Sequence, residues 1–186
     1  MKENIACFGD SLIYGFPYNT DGSWLKVVND NSNNVNCINY GECGFTCDDI
    51  YDKMKSFYLP ENVRHILVLG GANDILQERP IKDIISDLAN IANWCADRRF
   101  ALCIILPFLT AYPNYNEKLS LLRKEILGST LSKNFILDLQ QAVWQNAKID
   151  IDAYFDGIHP TEATYAKIGF YAISFLDKWI ERSREL

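Results

Sequence analysis

The chain has 186 residues, of which 48% are apolar and 23% are charged, and this length and composition predict one globular domain over residues 1–186. Its 24 acidic and 18 basic side chains give a formal net charge of −6. The basic residues are scattered along the chain, which excludes the basic face that a nucleic-acid partner requires.

Five short apolar runs predict β-strands that are covered on both faces, because their aliphatic residues follow one another without polar alternation. These runs are residues 5–8, 35–38, 66–69, 101–106 and 135–137. The longest apolar stretch, residues 101–109, is too short to cross a bilayer, so we expect no membrane span.

Segments with helical periodicity separate the strands and cover residues 23–29, 48–57, 81–98, 116–127 and 161–181. We expect Thr46 and Thr161 to be N-caps, Pro80 to lie in a first helical turn, and Gly128 to be a C-cap. Strands that alternate with helices predict a parallel sheet with helices on both faces, a three-layer α/β/α sandwich. Ligands of such sheets bind at the carboxyl ends of the strands.

The chain has six cysteines, an even number that could suggest disulfides, but their positions favour reduced thiols in a cytoplasmic protein. Cys7, Cys37 and Cys103 lie in the apolar runs, where a free thiol behaves as a small hydrophobe. A chain of this length needs no disulfide framework, and no CxxC pair supports a zinc site. Because the first motif begins by Gly9, we also expect no signal peptide. The sequence therefore predicts a cytoplasmic protein with neither a metal nor a cofactor.

The loop after the first strand contains Gly9-Asp10-Ser11-Leu12. A serine at a strand-to-helix turn has its hydroxyl near free backbone N–H groups, which favour a developing negative charge. The alternative is that Ser11 only caps the helix. Taken alone, this tripeptide does not decide between the two roles.

The loops after the second and third strands offer hydrogen-bond donors. Gly44 has no side chain, so its N–H could approach a substrate oxygen closely. Asn73, in Gly70-Gly71-Ala72-Asn73-Asp74, carries a neutral amide suited to an oxyanion hole. The alternatives are a turn glycine and a turn or cap asparagine, and we expect Asp74 to start a turn or a cap.

Near the C-terminus the chain contains Asp156-Gly157-Ile158-His159-Pro160. Pro160 pushes His159 towards an extended backbone, and Gly157 lets the loop fold back so that the Asp156 carboxylate can accept from His159 Nδ1. The other histidine, His65, is expected just before the third strand, at the amino end of the sheet. His159 is therefore the candidate base.

These four blocks resemble those of the SGNH hydrolase superfamily, also called GDSL esterases and lipases. The resemblance extends from Phe8 to His159 and implies a flavodoxin-like sandwich of five parallel strands. It also implies that Ser11 is the nucleophile and His159 its base, oriented by Asp156. The oxyanion hole would be formed by the N–H groups of Ser11 and Gly44 with the Asn73 side chain. A GxSxG elbow is absent, which disfavours the α/β-hydrolase fold.

The expected activity is hydrolysis of a small-molecule carboxylic ester through an acyl-enzyme. No lid insertion is visible in this short chain, so we expect small or short acyl groups. The pattern does not determine the natural alcohol, the preference for ester or thioester, or the oligomeric state. Candidate substrate-contacting residues beside the catalytic loops are Tyr14, Phe16, Phe45, Ile75, Phe108, Tyr112 and Ile158.

Three alternatives compete with this assignment. The first is a flavodoxin-like module that binds nucleotide or flavin, but the sequence contains neither a GxGxxG fingerprint nor a Walker A loop. A catalytically inactive family member with an interaction role would not need intact Ser11, Asn73, Asp156 and His159. A metal-dependent phosphoesterase could use Asp10, Asp74 and His159, although a second nearby histidine is missing.

Overall fold

A parallel five-stranded sheet organises the computed structural model, which describes residues 2–144 and 148–183. The strands are β1 (Glu3–Gly9), β2 (Val35–Gly41), β3 (Val63–Leu69), β4 (Ala101–Ile105) and β5 (Phe135–Leu137). Their order is β2-β1-β3-β4-β5, and all four neighbouring pairs are parallel. This is the flavodoxin-like strand order. The predicted fold class and all five predicted strands are confirmed.

Eight α-helices occur within the described residues. They are α1 (Ser11–Tyr14), α2 (Trp24–Asn31), α3 (Cys47–Ser56), α4 (Ala72–Leu76), α5 (Ile81–Asp97), α6 (Pro113–Gly128), α7 (Gln140–Val143) and α8 (Glu162–Ser183). The five predicted helices are confirmed within a few residues at each end. Helices α1, α4 and α7 are shorter than two turns, so no apolar periodicity announces them.

Three helix ends show how local chemistry sets the boundaries. Thr46 is the N-cap of α3 and forms a capping box with Asp49, as expected for a threonine at this position. Pro80 is the N-cap residue of α5 rather than part of its first turn. Gly128 is the last residue of α6, and Ser129 follows as the C-cap, so the predicted cap was one residue too early.

The core consists of two apolar layers, one on each face of the sheet. Alternate strand residues point to opposite faces. On one face, residues such as Cys7 and Leu67 pack against α1, α2, α7 and α8. On the other face, residues such as Phe8 and Val68 pack against α3, α4, α5 and α6. This arrangement covers both faces, which explains the uninterrupted apolar runs.

Two further expectations concern cysteines and membranes. All six cysteines are free thiols, and only Cys43 is exposed, which confirms the expectation of unpaired cysteines. Among the described residues, no helix combines the length and the apolar composition that a membrane span requires.

Candidate active site

The first loop presents the Ser11 hydroxyl at the carboxyl end of β1. Asp10 is the N-cap of α1, and its Oδ1 accepts a hydrogen bond of 2.9 Å from the Leu12 N–H. Ser11 is the first residue inside the helix and is 7% exposed. Because Asp10 provides the cap, the Ser11 hydroxyl is free for another partner.

That partner is His159, which lies 148 positions further along the chain. Ser11 Oγ is 2.9 Å from His159 Nε2, and His159 Nδ1 is 2.7 Å from Asp156 Oδ2. When Nδ1 carries the proton and donates to Asp156, Nε2 is left to accept the serine proton. The structure thus brings the three residues into one hydrogen-bonded row.

Asp156 is held in its charged form by a short loop. Its Oδ1 accepts from the main-chain N–H groups of Ile158, at 3.0 Å, and His159, at 2.8 Å. Burial alone would raise the pKa of Asp156, but these bonds and the one from the His159 ring outweigh it and lower that pKa. The carboxylate therefore remains ionised at neutral and mildly acidic pH.

Phe16 covers one side of the imidazole. Its ring centroid lies 4.6 Å from that of His159, with the two planes tilted by 56°. The Phe16 carbonyl accepts a 3.0 Å hydrogen bond from the buried Tyr165 hydroxyl, which fixes this loop to α8. The sequence placed Phe16 among candidate substrate contacts, and in the structure its ring packs against the histidine ring.

The second and third loops meet beside the Ser11 row. Asn73 Nδ2 donates a 2.8 Å hydrogen bond to the carbonyl of Phe45, the residue after Gly44. One hydrogen of the Asn73 amide remains for a further acceptor. Gly44 has φ +86°, and no heavy atom lies within 4 Å of where its Cβ would stand. Open space therefore lies beside Gly44, and the Asn73 amide keeps one hydrogen for a further acceptor.

An ion-pair network around the buried Asp74, not foreseen from the sequence, connects these loops. Asp74 lies inside α4, where its Oδ2 accepts from the Cys47 N–H at 3.0 Å and its Oδ1 pairs with Arg79. Arg79 also bonds to Asp48 and Asp87, at 2.8 Å each. Burial raises the pKa of Asp74 despite these partners. Asp74 was expected to start a turn or a cap. Instead, it lies within α4 and ties that helix to the first residue of α3.

The same network bears on the metal-dependent alternative. Among the described residues, Asp48, Asp74 and Asp87 are the one group whose donor atoms cluster closely enough for an ion. The Arg79 guanidinium bonds to all three of these carboxylates, so a cation of the chain already occupies the position that a metal ion would take. Asp10, Asp74 and His159 each have different partners and form no common ligand set.

Asp10 is nearly inaccessible, at 1% exposure, although it adjoins the candidate nucleophile. Burial and, to a smaller extent, the nearby Asp74 raise its pKa to about 7, against the lowering effect of the Leu12 N–H. Its role in the structure is to cap α1.

Asn39 was not identified from the sequence as a contributor to the site. The Asn39 amide donates to the Ile13 carbonyl at 2.7 Å and so ties β2 to α1.

The expected substrate-contacting residues fall into different environments. Ile75 and Ile158 line a small apolar cavity, together with Ala72, Leu76, Thr110, Tyr115 and Leu119. Its volume is about 10 Å³, room for roughly one water-sized group. Phe45 contributes its carbonyl to Asn73, and the Tyr14 hydroxyl donates to Asn19 at 3.0 Å. Phe108 is 2% exposed within the core, so its ring offers little surface to a substrate, contrary to expectation.

Two other features lie at the opposite end of the sheet. His65 is inside β3 rather than before it, and its Nε2 is 2.6 Å from Ser183 Oγ. It is buried and remote from the Ser11 row, as the sequence indicated. A wider cleft of about 550 Å³ also lies at this end, between Tyr58 and Trp94. It contains none of the motif residues.

Comparison with known proteins identifies the family and the fold of the chain. The model of the GDSL-like Lipase/Acylhydrolase family matches residues 7–167. No curated protein matches the chain. Among solved structures, a G-D-S-L family lipolytic protein from Desulfitobacterium hafniense has a TM-score of 0.82 at 19% identity, covering 93% of this chain and 99% of its own.

Two further solved structures share the fold. A G-D-S-L family lipolytic protein from Veillonella parvula has a TM-score of 0.79 at 21% identity, with 92% of this chain and 96% of that chain covered. The psychrotrophic esterase EstA from a Pseudoalteromonas species, inhibited by monoethylphosphonate, has a TM-score of 0.78 at 18% identity, with 97% and 100% covered.

Proposed function

Because the chain belongs to the GDSL-like lipase/acylhydrolase family, we propose that it is a serine esterase that hydrolyses carboxylic esters of short acyl groups. The observation that carries this proposal is the row of Ser11 Oγ, His159 Nε2 and Nδ1, and Asp156 Oδ2, with distances of 2.9 and 2.7 Å. These distances suit proton transfer from a nucleophile to a base that a carboxylate orients.

The proposed first half-reaction forms an acyl-enzyme. His159 Nε2 takes the Ser11 proton while Oγ attacks the ester carbonyl, and the carbonyl electron pair moves to the oxygen. The tetrahedral intermediate collapses when the carbon–oxygen bond to the alcohol breaks and His159 donates the proton to that leaving oxygen. Asp156 stabilises the imidazolium formed between the two steps.

The second half-reaction regenerates the serine. Water attacks the acyl carbonyl while His159 accepts its proton, and the Ser11–acyl bond then breaks with return of that proton to Oγ. Each step transfers one proton to or from the same nitrogen, so the residues present balance the chemistry without a further acid or base.

The oxyanion is proposed to bind three donors on separate loops. The Ser11 N–H begins α1 and has no intrahelical acceptor. Gly44 has no side chain to cover its N–H, and the space where its Cβ would stand is open. The Asn73 amide has one hydrogen beyond its bond to Phe45. Because that bond links the second and third loops, it would keep the distance between the Gly44 N–H and the Asn73 amide constant.

Asn73→Ala is expected to lower kcat on the order of 10²–10³-fold, because one preorganised oxyanion donor is lost. KM should change much less, since the donor acts mainly when negative charge develops. Steady-state kinetics with p-nitrophenyl acetate measures both constants.

Asn36→Ala is the matched control for that variant. Asn36 also donates a 2.8 Å amide hydrogen bond, to Asn4 near the amino ends of β1 and β2, so it removes an equivalent bond away from the site. Equal kcat in the Asn73→Ala variant and the wild type would remove Asn73 from the oxyanion hole.

The acyl group is expected to be short, because the apolar cavity lined by Ile75 and Ile158 accommodates roughly one small group. Each methylene that becomes buried contributes about 0.8 kcal/mol, so a matching groove would raise kcat/KM with chain length. A chain that outgrows the cavity gains no such burial. We therefore expect p-nitrophenyl acetate to butyrate to be hydrolysed with the highest kcat/KM.

A chain-length series of p-nitrophenyl esters tests the function and the acyl size together. A colourless protein that hydrolyses acetate and butyrate far faster than decanoate or palmitate is the expected result. A maximum at decanoate or longer would overturn the short-acyl assignment but not the esterase. Absence of hydrolysis of every ester, with no fluorophosphonate label on Ser11, would contradict the esterase itself.

A further inference from the structure

The turn that carries Asp156 and His159 is stabilised by hydrogen bonds between its own two ends. The Phe155 N–H donates to the His159 carbonyl at 2.7 Å, and Tyr154 forms an isolated antiparallel bridge with Pro160. These bonds set the shape of the turn. They do not set its distance from Ser11, which lies on a different loop of the sheet.

The segment between β4 and α6 makes two hydrogen bonds to the main chain of this turn. The Ala111 N–H donates to the Gly157 carbonyl at 2.7 Å, and the Tyr112 hydroxyl donates to the Asp156 carbonyl at 2.9 Å. The second bond engages the main chain of Asp156, so its carboxylate remains available to His159. Tyr112 thereby contacts the residue that orients the candidate base.

We propose that Tyr112 is a positioning residue that holds the Asp156–His159 turn at hydrogen-bond distance from Ser11. The inference rests on the esterase function proposed above. Tyr112 is placed to act through Asp156, and no described contact joins it to Ser11 or to the imidazole, so its effect is on geometry rather than on proton transfer.

Gly157 adapts the turn to the tyrosine ring. A Cβ at this position would lie 2.6 Å from two ring carbons of Tyr112, closer than such atoms approach. Its φ of +90° is also a conformation that glycine adopts readily. The ring therefore packs directly on the backbone between Asp156 and His159, and this contact supplements the hydroxyl bond.

Tyr112 is itself held by a buried polar cluster. It is the N-cap residue of α6, and its N–H donates to Thr110 Oγ1 at 3.0 Å. The Thr110 main chain is bonded in both directions to the Asn116 side chain, at 2.7 and 2.8 Å. Thr110 and Asn116 are 5% and 9% exposed. A fixed helix start thus carries the hydroxyl that reaches the turn.

The expected consequence is selective loss of turnover. A displacement of about 1 Å in a catalytic group can cost on the order of 10²-fold in rate. The Ala111 bond and the ring contact persist in Tyr112→Phe, so we expect a smaller fall in kcat, roughly tenfold, with KM nearly unchanged. The Tyr112 hydroxyl is part of a residue that is 44% exposed, so the thermal midpoint should stay close to that of the wild type.

Tyr112→Phe and the matched control Tyr171→Phe would be compared with p-nitrophenyl acetate. Tyr171 also donates a side-chain hydrogen bond, to Gln141 at 3.1 Å on α7, and its loss should leave kcat unchanged. A kcat of Tyr112→Phe within twofold of the control would overturn the proposal. So would a fall in kcat matched by an equal fall in the folded fraction.

A second measurement does not depend on ester turnover. We expect the proton between His159 Nδ1 and Asp156 Oδ2, which are 2.7 Å apart, to give a downfield NMR signal, and His159→Gln would identify this signal by its disappearance. We expect Tyr112→Phe to shift or broaden that signal and Tyr171→Phe to leave it unchanged. An unaltered signal in Tyr112→Phe would overturn the proposal even if the protein hydrolysed no ester. Conversely, an altered signal in a protein without esterase activity would contradict only the proposed function.

Discussion

Ser11→Ala should lower kcat for p-nitrophenyl acetate by on the order of 10⁵–10⁶-fold and abolish the burst of p-nitrophenol. The variant has no oxygen to form the acyl-enzyme, although His159 and the proposed oxyanion donors remain. Those groups can still leave a rate about 10³–10⁴-fold above that in water. Stopped-flow kinetics measures the burst, and mass spectrometry measures labelling of residue 11 by a fluorophosphonate.

The Ser11 hydroxyl has His159 as its described side-chain partner, so the substitution should leave the fold intact. Ser132→Ala is a suitable control, because that exposed hydroxyl donates only to the Ser129 carbonyl, at 2.7 Å, within a 3₁₀ turn. We expect Ser132→Ala to retain wild-type turnover and labelling. Wild-type turnover in Ser11→Ala would show that another group is the nucleophile.

Asp156→Asn should lower kcat by up to about 10⁴-fold while the turn keeps its shape. An asparagine Oδ1 can still accept from the Ile158 and His159 N–H groups, which now bond to Asp156 at 3.0 and 2.8 Å. Its amide nitrogen, however, would donate to His159 Nδ1 and place the ring proton on Nε2. His159 could then no longer accept the Ser11 proton. The rate of fluorophosphonate labelling should fall together with kcat.

Asp152→Asn provides the control for charge alone. Asp152 is exposed and lies four positions earlier, in the 3₁₀ turn Ile151–Ala153, so this variant changes the net charge equally without touching the ring. Its kcat should match that of the wild type. A loss smaller than tenfold in Asp156→Asn would indicate that the imidazole needs no carboxylate to orient it.

Local patterns were sufficient for the secondary structure that forms the sheet and its five long helical covers. The run Ile5-Ala6-Cys7-Phe8 is entirely buried because β1 lies between β2 and β3 and both of its faces are packed. The pattern could not show α1 or α4, since a helix of four or five residues contains little more than one turn. Capping chemistry also left Gly128 ambiguous, because it ends α6 instead of following it.

The motif residues were identifiable because each follows a strand, and the carboxyl ends of parallel strands share one edge of a sheet. The roles of their neighbours were not identifiable in this way. Asp74 has the same sequence context as a turn residue, yet it is buried and bonded to Arg79 and to the Cys47 N–H. Phe108 follows β4, where a substrate contact was expected, but packing turns its ring into the core.

By itself the sequence determined the order of strands and helices, the sheet class and the residue types that gather at one edge. Those properties depend on periodicity and on groups a few positions apart. The tertiary structure alone decided that Ser11 and His159, 148 positions apart, lie 2.9 Å from each other, and that Tyr112 contacts the Asp156 turn. Such distances depend on how α6, α8 and the loops between the elements pack against the sheet. Packing is a property of the whole chain and is not encoded in any one segment.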